Sequence, residues 1–167
     1  FGISDKIFFS ALEKFKGLPH RQETFFRKKN ICFINDSKAT SFEAAKDCLM
    51  NYKNIIWIVG GLKKEGDKFY LNHIKKNIKK AFIIGKDRVF FKKQLNKKID
   101  FIETKTLERS VKNIFEEIQA MNLRKKNKDK TFVILSPASA SYDQFRNFED
   151  RGNKFKKLVK NYAKKYF

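Results

Sequence analysis

The stretch ICFINDSKATSFEAAKDCLM, residues 31–50, places an apolar run, a polar loop and an amphipathic segment in immediate succession. Its first part, ICFI (31–34), has no polar alternation, which predicts a strand buried on both faces. Apolar residues then recur at helical spacing, which predicts a helix over 41–51. The polar residues NDSKAT (35–40) therefore lie where a strand ends and a helix begins.

Helix capping explains only part of this polar loop. Thr40 and Glu43 fit the T-x-x-E capping box, and Ser41 is an alternative cap. Neither arrangement explains why Asp36 and Lys38 stand in the same loop. We therefore expect the loop to bind a ligand as well as to start a helix.

Strand and helix patterns alternate along the rest of the chain. Further strands are predicted over 55–59, 81–85, 99–102 and 131–135, and further helices over 4–15, 69–78, 88–95, 107–121 and 151–167. Apolar strands that are each followed by a helix indicate a parallel sheet covered on both faces. The predicted fold class is α/β: a Rossmann-like, mostly parallel sheet with helices on both faces, preceded by a short helical segment.

Three loops are predicted to meet at one edge of this sheet. They are NDSKAT (35–40), GGLKKEGDK (60–68) and SPASASYDQF (136–145), and each follows a predicted strand. Right-handed crossovers put such loops at the carboxyl edge of the strands, where α/β proteins bind ligands. A helix N-terminus together with Lys38 and Lys64 would suit an anion there.

Common nucleotide and zinc motifs do not occur in the sequence. It contains neither GxxxxGK[ST] nor GxGxxG, and Gly60-Gly61 by itself is typical of a plain turn. Cys32 and Cys48 have no further cysteines or histidines at zinc-ligand spacing. We therefore expect two reduced thiols and no metal site.

The net charge of +21 raises the question of nucleic acid binding. Most of the 39 basic residues are Lys, however, and they are spread along the whole chain. Arg recognises phosphate and guanine through paired hydrogen bonds, whereas Lys is a solvated point charge. We therefore expect a solvated basic surface and no specific nucleic acid partner, with a polyanion-binding face as the alternative.

The three loops, taken in order, resemble the C-terminal domain of the Mur ligases. The motifs are NDSKAT, GG-x-x-K and SPASASYDQFRNFEDRG, and the two long ones are most similar to the D-glutamate-adding members of the family. Upstream, FKGLPHRQE resembles the end of the central ATPase domain of those enzymes. The resemblance implies a C-terminal remnant of the ATPase domain over 1–28 and a Mur ligase C-terminal, D-glutamate-binding domain over 29–167.

The activity implied by this resemblance is that of an ATP- and magnesium-dependent amide ligase of peptidoglycan synthesis. Such an enzyme activates UDP-N-acetylmuramoyl-L-alanine as an acyl phosphate, which the amine of D-glutamate attacks. The roles that the resemblance implies are D-glutamate binding for Thr40, Lys64, Ser141 and Phe148, catalysis for Lys38, and nucleotide binding for Arg21 and Asp36. Cations and hydroxyl donors suit the two carboxylates of D-glutamate.

The sequence departs from the family pattern at three positions. Ser41 stands where the family usually has Asn, Ser139 where Cys is common, and Lys63 where an acid is frequent. Lys63 and Lys64 are therefore both candidates for the working lysine. We assign neither histidine as the base for the amine proton; His20 is a candidate hinge-side contact, and His73 is expected at or near the surface.

The family's phosphate loop and magnesium ligands lie outside the motifs found here, so we expect no turnover by this chain alone. A chain that starts on Phe1, without an initiator Met or signal peptide, suggests a piece of a longer cytoplasmic protein. We expect a monomer that does not associate with membranes. The alternatives are an orphan α/β domain with a binding or regulatory role and a basic nucleic-acid-binding module.

Overall fold

The computed structural model describes residues 2–15, 17–123 and 129–167. Over these residues the strands are β1 (Glu23–Lys28), β2 (Ile31–Asn35), β3 (Ile55–Gly60), β4 (Ile78–Ile84), β5 (Phe101–Lys105) and β6 (Thr131–Leu135). The α-helices are α1 (Asp5–Lys14), α2 (Phe42–Asn51), α3 (Arg88–Leu95), α4 (Leu107–Leu123) and α5 (Phe148–Tyr166). A short 3-10 helix covers Lys75–Asn77.

The described strands form one sheet in the order β1-β2-β6-β3-β4-β5. Every pair from β2 to β5 is parallel, and β1 alone is antiparallel, paired with β2. The predicted α/β class with a mostly parallel sheet is therefore confirmed. The polar loops that follow β2, β6 and β3 start from adjacent strands, because β6 lies between the other two.

Both faces of the sheet are covered, as the unbroken apolar strands predicted. Neighbouring residues of one strand pack into different clusters: Ile34 faces the cluster with α2 and α3, and Phe33 faces the cluster with α4 and α5. The same division holds for Trp57 and Ile58 in β3. Strands buried on both sides leave only their ends open to a ligand.

The predicted helix over 69–78 is wrong. The segment contains only the 3-10 helix Lys75–Asn77, and β4 already begins at Ile78. Phe69 stacks on Phe42 with ring centroids 4.4 Å apart, and its backbone N–H donates to Gln94 Oε1 at 3.1 Å. Packing against other elements therefore outweighs the helical spacing of the apolar residues.

Strand β1 was not predicted, because its sequence ETFFRK lacks a clear alternation. A register shift between Thr24 and Phe26 interrupts the ladder with β2, so both Phe25 and Phe26 pack against the same cluster as Phe33. The predicted domain boundary after residue 28 falls in the turn of this hairpin. That boundary stays a prediction.

Helix α1 matches the predicted stripe over 4–15 and begins after Ser4, whose side chain makes no capping hydrogen bond. None of its residues is buried, and Ile7, Phe8 and Leu12 are more than half exposed. Helix α5 begins three residues before the predicted start at residue 151. Across the described ranges, none of the helices combines the length and apolar character that crossing a membrane requires.

Candidate functional site

The structure brings the three predicted loops together at the carboxyl edge of the sheet. Asp36 N–H donates to the carbonyl of Leu135 at 2.8 Å, which joins the end of β2 to the end of β6. Leu62 and Ala140 exchange backbone hydrogen bonds of 3.1 and 3.2 Å, which join the loop after β3 to the loop after β6. The loop after β6 therefore lies between the other two and contacts both.

Gly60-Gly61 is more than the plain turn expected from its sequence. A Cβ on Gly60 would lie 2.2 Å from the carbonyl oxygen of Ile84, and one on Gly61 would lie 2.4 Å from that of Ala140. The two glycines thus allow backbone to approach backbone at the edge where the loops meet.

Asp36 is buried and lines a concavity of about 380 Å³ together with Arg21 and Lys38. Its carboxylate accepts hydrogen bonds from Ser136 Oγ at 2.7 Å and from Gln22 N–H at 3.1 Å. Burial raises the pKa of Asp36, and these two hydrogen bonds oppose the rise. The structure therefore places all three side chains around one concavity, with the carboxylate held by the protein itself.

Lys38 lies against Phe148, the first residue of α5. The Lys38 ammonium is 3.9 Å from the centroid of the Phe148 ring, a cation–π contact. Next to it, Ser37 Oγ donates to the carbonyl of Phe148 at 2.8 Å. The loop after β2 and the start of α5 are thus held together at the predicted site.

The predicted Thr40 capping box is wrong, because the N-cap of α2 is Ser41. Its hydroxyl accepts a hydrogen bond from Ala44 N–H at 3.4 Å. The carboxylate of Glu43 does not turn back to the cap; it lies 3.2 Å from Lys46 Nζ. Thr40 is exposed at the surface beside this helix start.

The first turn of α2 also fixes the loop that carries Lys64. Asp67 Oδ2 accepts from Phe42 N–H at 2.8 Å, and Asp67 N–H donates to the carbonyl of Lys64 at 3.2 Å. Lys63 instead lines a separate concavity with Phe90 of α3. Of the two lysines, Lys64 is therefore the one whose backbone is tied to the helix start beside Thr40.

Ser141 is buried, at 2% exposure, in a tightly anchored loop. Its carbonyl accepts from Gln144 N–H at 3.1 Å and from Phe145 N–H at 3.0 Å. Asp143 Oδ2 accepts from Lys86 N–H at 2.7 Å, and Gln144 Nε2 donates to the carbonyl of Lys105 at 2.8 Å. The SYDQF segment is thus bound to the loop that follows β4 and to the last residue of β5.

Sequence reasoning missed the roles of Arg151 and His20. Arg151 is 1% exposed and donates to both the loop after β2 and the loop after β6. His20 is 6% exposed, and its Nδ1 accepts from Asn35 Nδ2 at 2.8 Å. Arg151 stands in a quoted motif, but a single cation in a Lys-rich helix looks like a surface residue. His20 was expected only as a candidate hinge-side contact. His73 is exposed, as expected.

The surroundings of His20 oppose its protonation. Burial and the ammonium of Lys156 lower its pKa, against the opposing effect of Glu23 and Glu149. Glu23 is itself held by His20 N–H at 3.0 Å and by Lys156 at 3.0 Å, and these contacts lower its pKa although burial acts in the other direction. His20 is therefore a neutral structural residue at pH 7, and its carbonyl accepts a hydrogen bond from Lys38 N–H at 3.1 Å.

The environment of His20 predicts that the free energy of unfolding decreases at acidic pH. The unfolded chain takes up a proton on His20 near pH 6.5, whereas the folded chain resists protonation until a lower pH, so stability falls as the pH drops through 6.5 and below. The slope is at most one proton, about 1.4 kcal/mol per pH unit. Urea unfolding at pH 7.5 and 5.5 measures it.

A non-titrating His20→Gln variant should flatten this pH dependence. The matched control is His73→Gln, which removes the exposed histidine and should leave the dependence as in the parent chain. An equal slope in His20→Gln and the parent would assign the acid sensitivity to another group.

The amino-acid sequence is similar to those of known proteins. No protein-family profile matches the chain. It is 40% identical over 153 residues to the UDP-N-acetylmuramoylalanine--D-glutamate ligase of Wolbachia sp. subsp. Brugia malayi (strain TRS), and the match covers 92% of this chain and 30% of that protein.

Proteins of the same name from two other bacteria are similar. The one from Bradyrhizobium diazoefficiens is 37% identical over 158 residues, covering 95% of this chain and 33% of that protein. The one from Rickettsia felis is 34% identical over 162 residues, covering 97% of this chain and 35% of that protein. The chain thus spans about a third of the length of the curated relatives it matches.

Proposed function

Because the chain is homologous to a segment of the UDP-N-acetylmuramoylalanine--D-glutamate ligases, we propose that it forms the part of such a ligase that binds D-glutamate. In this proposal residues 29–167 are the D-glutamate-binding domain, and residues 1–28 belong with an upstream ATPase domain. The exposed apolar side chains of α1 support the second assignment, since such a surface is normally covered. The whole enzyme would be a cytoplasmic monomer.

The observation that carries the proposal is the meeting of three polar loops at one edge of the sheet. Lys38, Thr40, Lys64 and Ser141 stand in these loops, and Phe148 lies against Lys38. A dicarboxylate amino acid needs cationic and hydroxyl donors for both of its acid groups. Lys64 and Lys38 would supply the charge, and the two hydroxyls would set the orientation of D-glutamate.

The concavity around Arg21, Lys38 and Asp36 would receive the phosphate and ribose region of ATP. Arg21 and Lys38 suit phosphate, Asp36 and Asp47 on the same lining suit the ribose hydroxyls, and the volume of about 380 Å³ suits part of a nucleotide. ATP would supply the phosphoryl group that activates the acceptor carboxylate. The role of this chain is to hold the amine of D-glutamate near that carboxylate, which is catalysis by positioning.

Magnesium fits this chain less well than ATP does. Both oxygens of Asp36 are already hydrogen-bonded by the protein. Throughout the part of the chain that the structure describes, no three His, Cys, Asp or Glu side chains are grouped so that they could hold a metal ion. The magnesium ligands of the proposed ligase would therefore come mainly from residues outside this segment.

Titration with D-glutamate tests the proposed site. We expect amide NMR shifts of the parent chain at residues 36–41, 62–67 and 139–142. Lys64→Ala should weaken binding about tenfold or more, because a charge-assisted hydrogen bond contributes about 1.5–3 kcal/mol. Lys63→Ala is the matched control, since Lys63 lines a different concavity. Equal affinity of the parent and Lys64→Ala would remove Lys64 from the site.

The purified chain alone should not turn over. With ATP, magnesium, UDP-N-acetylmuramoyl-L-alanine and D-glutamate present, we expect no phosphate release above the rate without protein. The reason is that the sequence contains no GxxxxGK[ST] phosphate loop. Release that depends on D-glutamate would refute this expectation.

A further inference from the structure

Arg151 stands in the first turn of α5 and points into the protein instead of into solvent. Its Nε donates to Ser37 Oγ at 3.0 Å, and its Nη2 donates to the carbonyls of Ser37 at 2.9 Å and Ser139 at 3.0 Å. Ser37 belongs to the loop after β2, and Ser139 to the loop after β6. One side chain therefore joins two loops that are distant in sequence.

The joined residues are next to the proposed ligand contacts. Ser37 precedes Lys38, and Ser139 lies two residues before Ser141. A guanidinium is planar and presents its donors in a fixed fork, so it sets the spacing between the two carbonyls it contacts. A change at Arg151 would thus move both sides of the site, although Arg151 itself is buried.

The positive charge of Arg151 is poorly balanced by the protein. Its hydrogen-bond acceptors are a hydroxyl and two carbonyls, and Asp143 acts on it only at longer range. Among the described residues, Arg151 Nη1 and Ser139 Oγ find no hydrogen-bond partner. Burial lowers the pKa of Arg151 to about 10, which leaves it charged at neutral pH. A buried cation without a paired acid costs stability.

We propose that Arg151 is the positioning residue of this site: it fixes the spacing of the two loops and supplies a buried positive charge beneath an acidic amino acid bound between them. The identity of that ligand rests on the proposed function, whereas the coupling of the loops does not. An uncompensated charge below the site favours a ligand with an extra carboxylate over its neutral amide.

The coupling of the loops is tested without any ligand. Arg151→Lys keeps the charge but loses the fork, and Arg151→Met loses both. We expect hydrogen exchange at residues 36–41 and 137–142 to rise about tenfold or more in both variants. Lys160→Met, which removes an exposed cation from the same helix, is the matched control and should leave exchange unchanged.

The role of the charge is tested by comparing D-glutamate with D-glutamine. Arg151→Lys should bind D-glutamate more weakly than the parent but keep the preference for D-glutamate over D-glutamine. Arg151→Met should lose about tenfold of that preference, an effect that loosened loops alone would not produce. Equal preference in the parent and Arg151→Met would overturn the electrostatic part of the proposal.

Ser37→Ala keeps the proposal testable if both Arg151 variants fail to fold. It removes only the hydroxyl that accepts from Arg151 and donates to Phe148, and it should raise exchange in both loops. Unchanged exchange in the loop that holds Ser139 would overturn the coupling. If the parent chain does not bind D-glutamate, the proposed function fails, while the exchange data still decide whether Arg151 couples the loops.

Discussion

Replacing Gly60 by Ala is expected to destabilise the protein by about 4 kcal/mol or more, which is exceptional for a single methyl group. The new Cβ would lie 2.2 Å from the carbonyl oxygen of Ile84 and 3.1 Å from its backbone nitrogen. Gly60 pairs with Ile84 in the parallel ladder of β3 and β4, so relief of the clash would have to separate two central strands. Its φ of +118° adds backbone strain for any L side chain.

Gly66→Ala is the control that separates strain from steric clash. Gly66 also has a positive φ, of +72°, but a Cβ there meets open space. We expect a cost of only about 1–2 kcal/mol for the left-handed conformation. Urea unfolding midpoints of the two variants measure the difference, and similar midpoints would mean that the clash at Gly60 is relieved cheaply.

The parallel strands and most helices could be predicted, because a strand that is buried on both faces appears in the sequence as an uninterrupted apolar run. ICFI (31–34) and TFVIL (131–135) contain one polar side chain, Thr131 at a strand start, and it is itself buried. The failures at 23–28 and 69–78 have one physical cause. In both segments phenylalanine side chains (Phe25, Phe26 and Phe69) pack against the core from backbone that follows neither a regular helix nor an uninterrupted strand.

The location of the site could be predicted, but not its internal support. Topology alone places the loops after β2, β3 and β6 at one edge, which made Lys38 and Lys64 candidates, whereas Ser141 was named only through the resemblance to the Mur ligases. The burial of Arg151 could not be predicted, because a cationic side chain is expected to face solvent unless an acidic side chain pairs with it. Its partners are backbone carbonyls and a hydroxyl, which leave no recognisable pattern in the sequence.

Gly152, the residue after Arg151, is the position at which a substitution is expected to have the second large effect on stability. Gly152→Ala is expected to destabilise the protein by about 3 kcal/mol or more, although Ala is normally about 1 kcal/mol better than Gly inside a helix. The added Cβ would lie 2.2 Å from His20 Nδ1 and 2.9 Å from Asn35 Oδ1. Both of these side chains are buried and bonded to each other, so neither can move away without breaking that contact.

The neighbour Asn153 offers a matched control, because it is exposed on the same turn of α5. Asn153→Ala should leave the free energy of unfolding unchanged or raise it by a few tenths of a kcal/mol, as helix propensity requires. If Gly152→Ala behaves like Asn153→Ala, the close approach of α5 to His20 is not needed for folding. The expected contrast would instead show that folding needs the close approach of α5 to His20 that Gly152 allows, at the position next to Arg151, which hydrogen-bonds both loops.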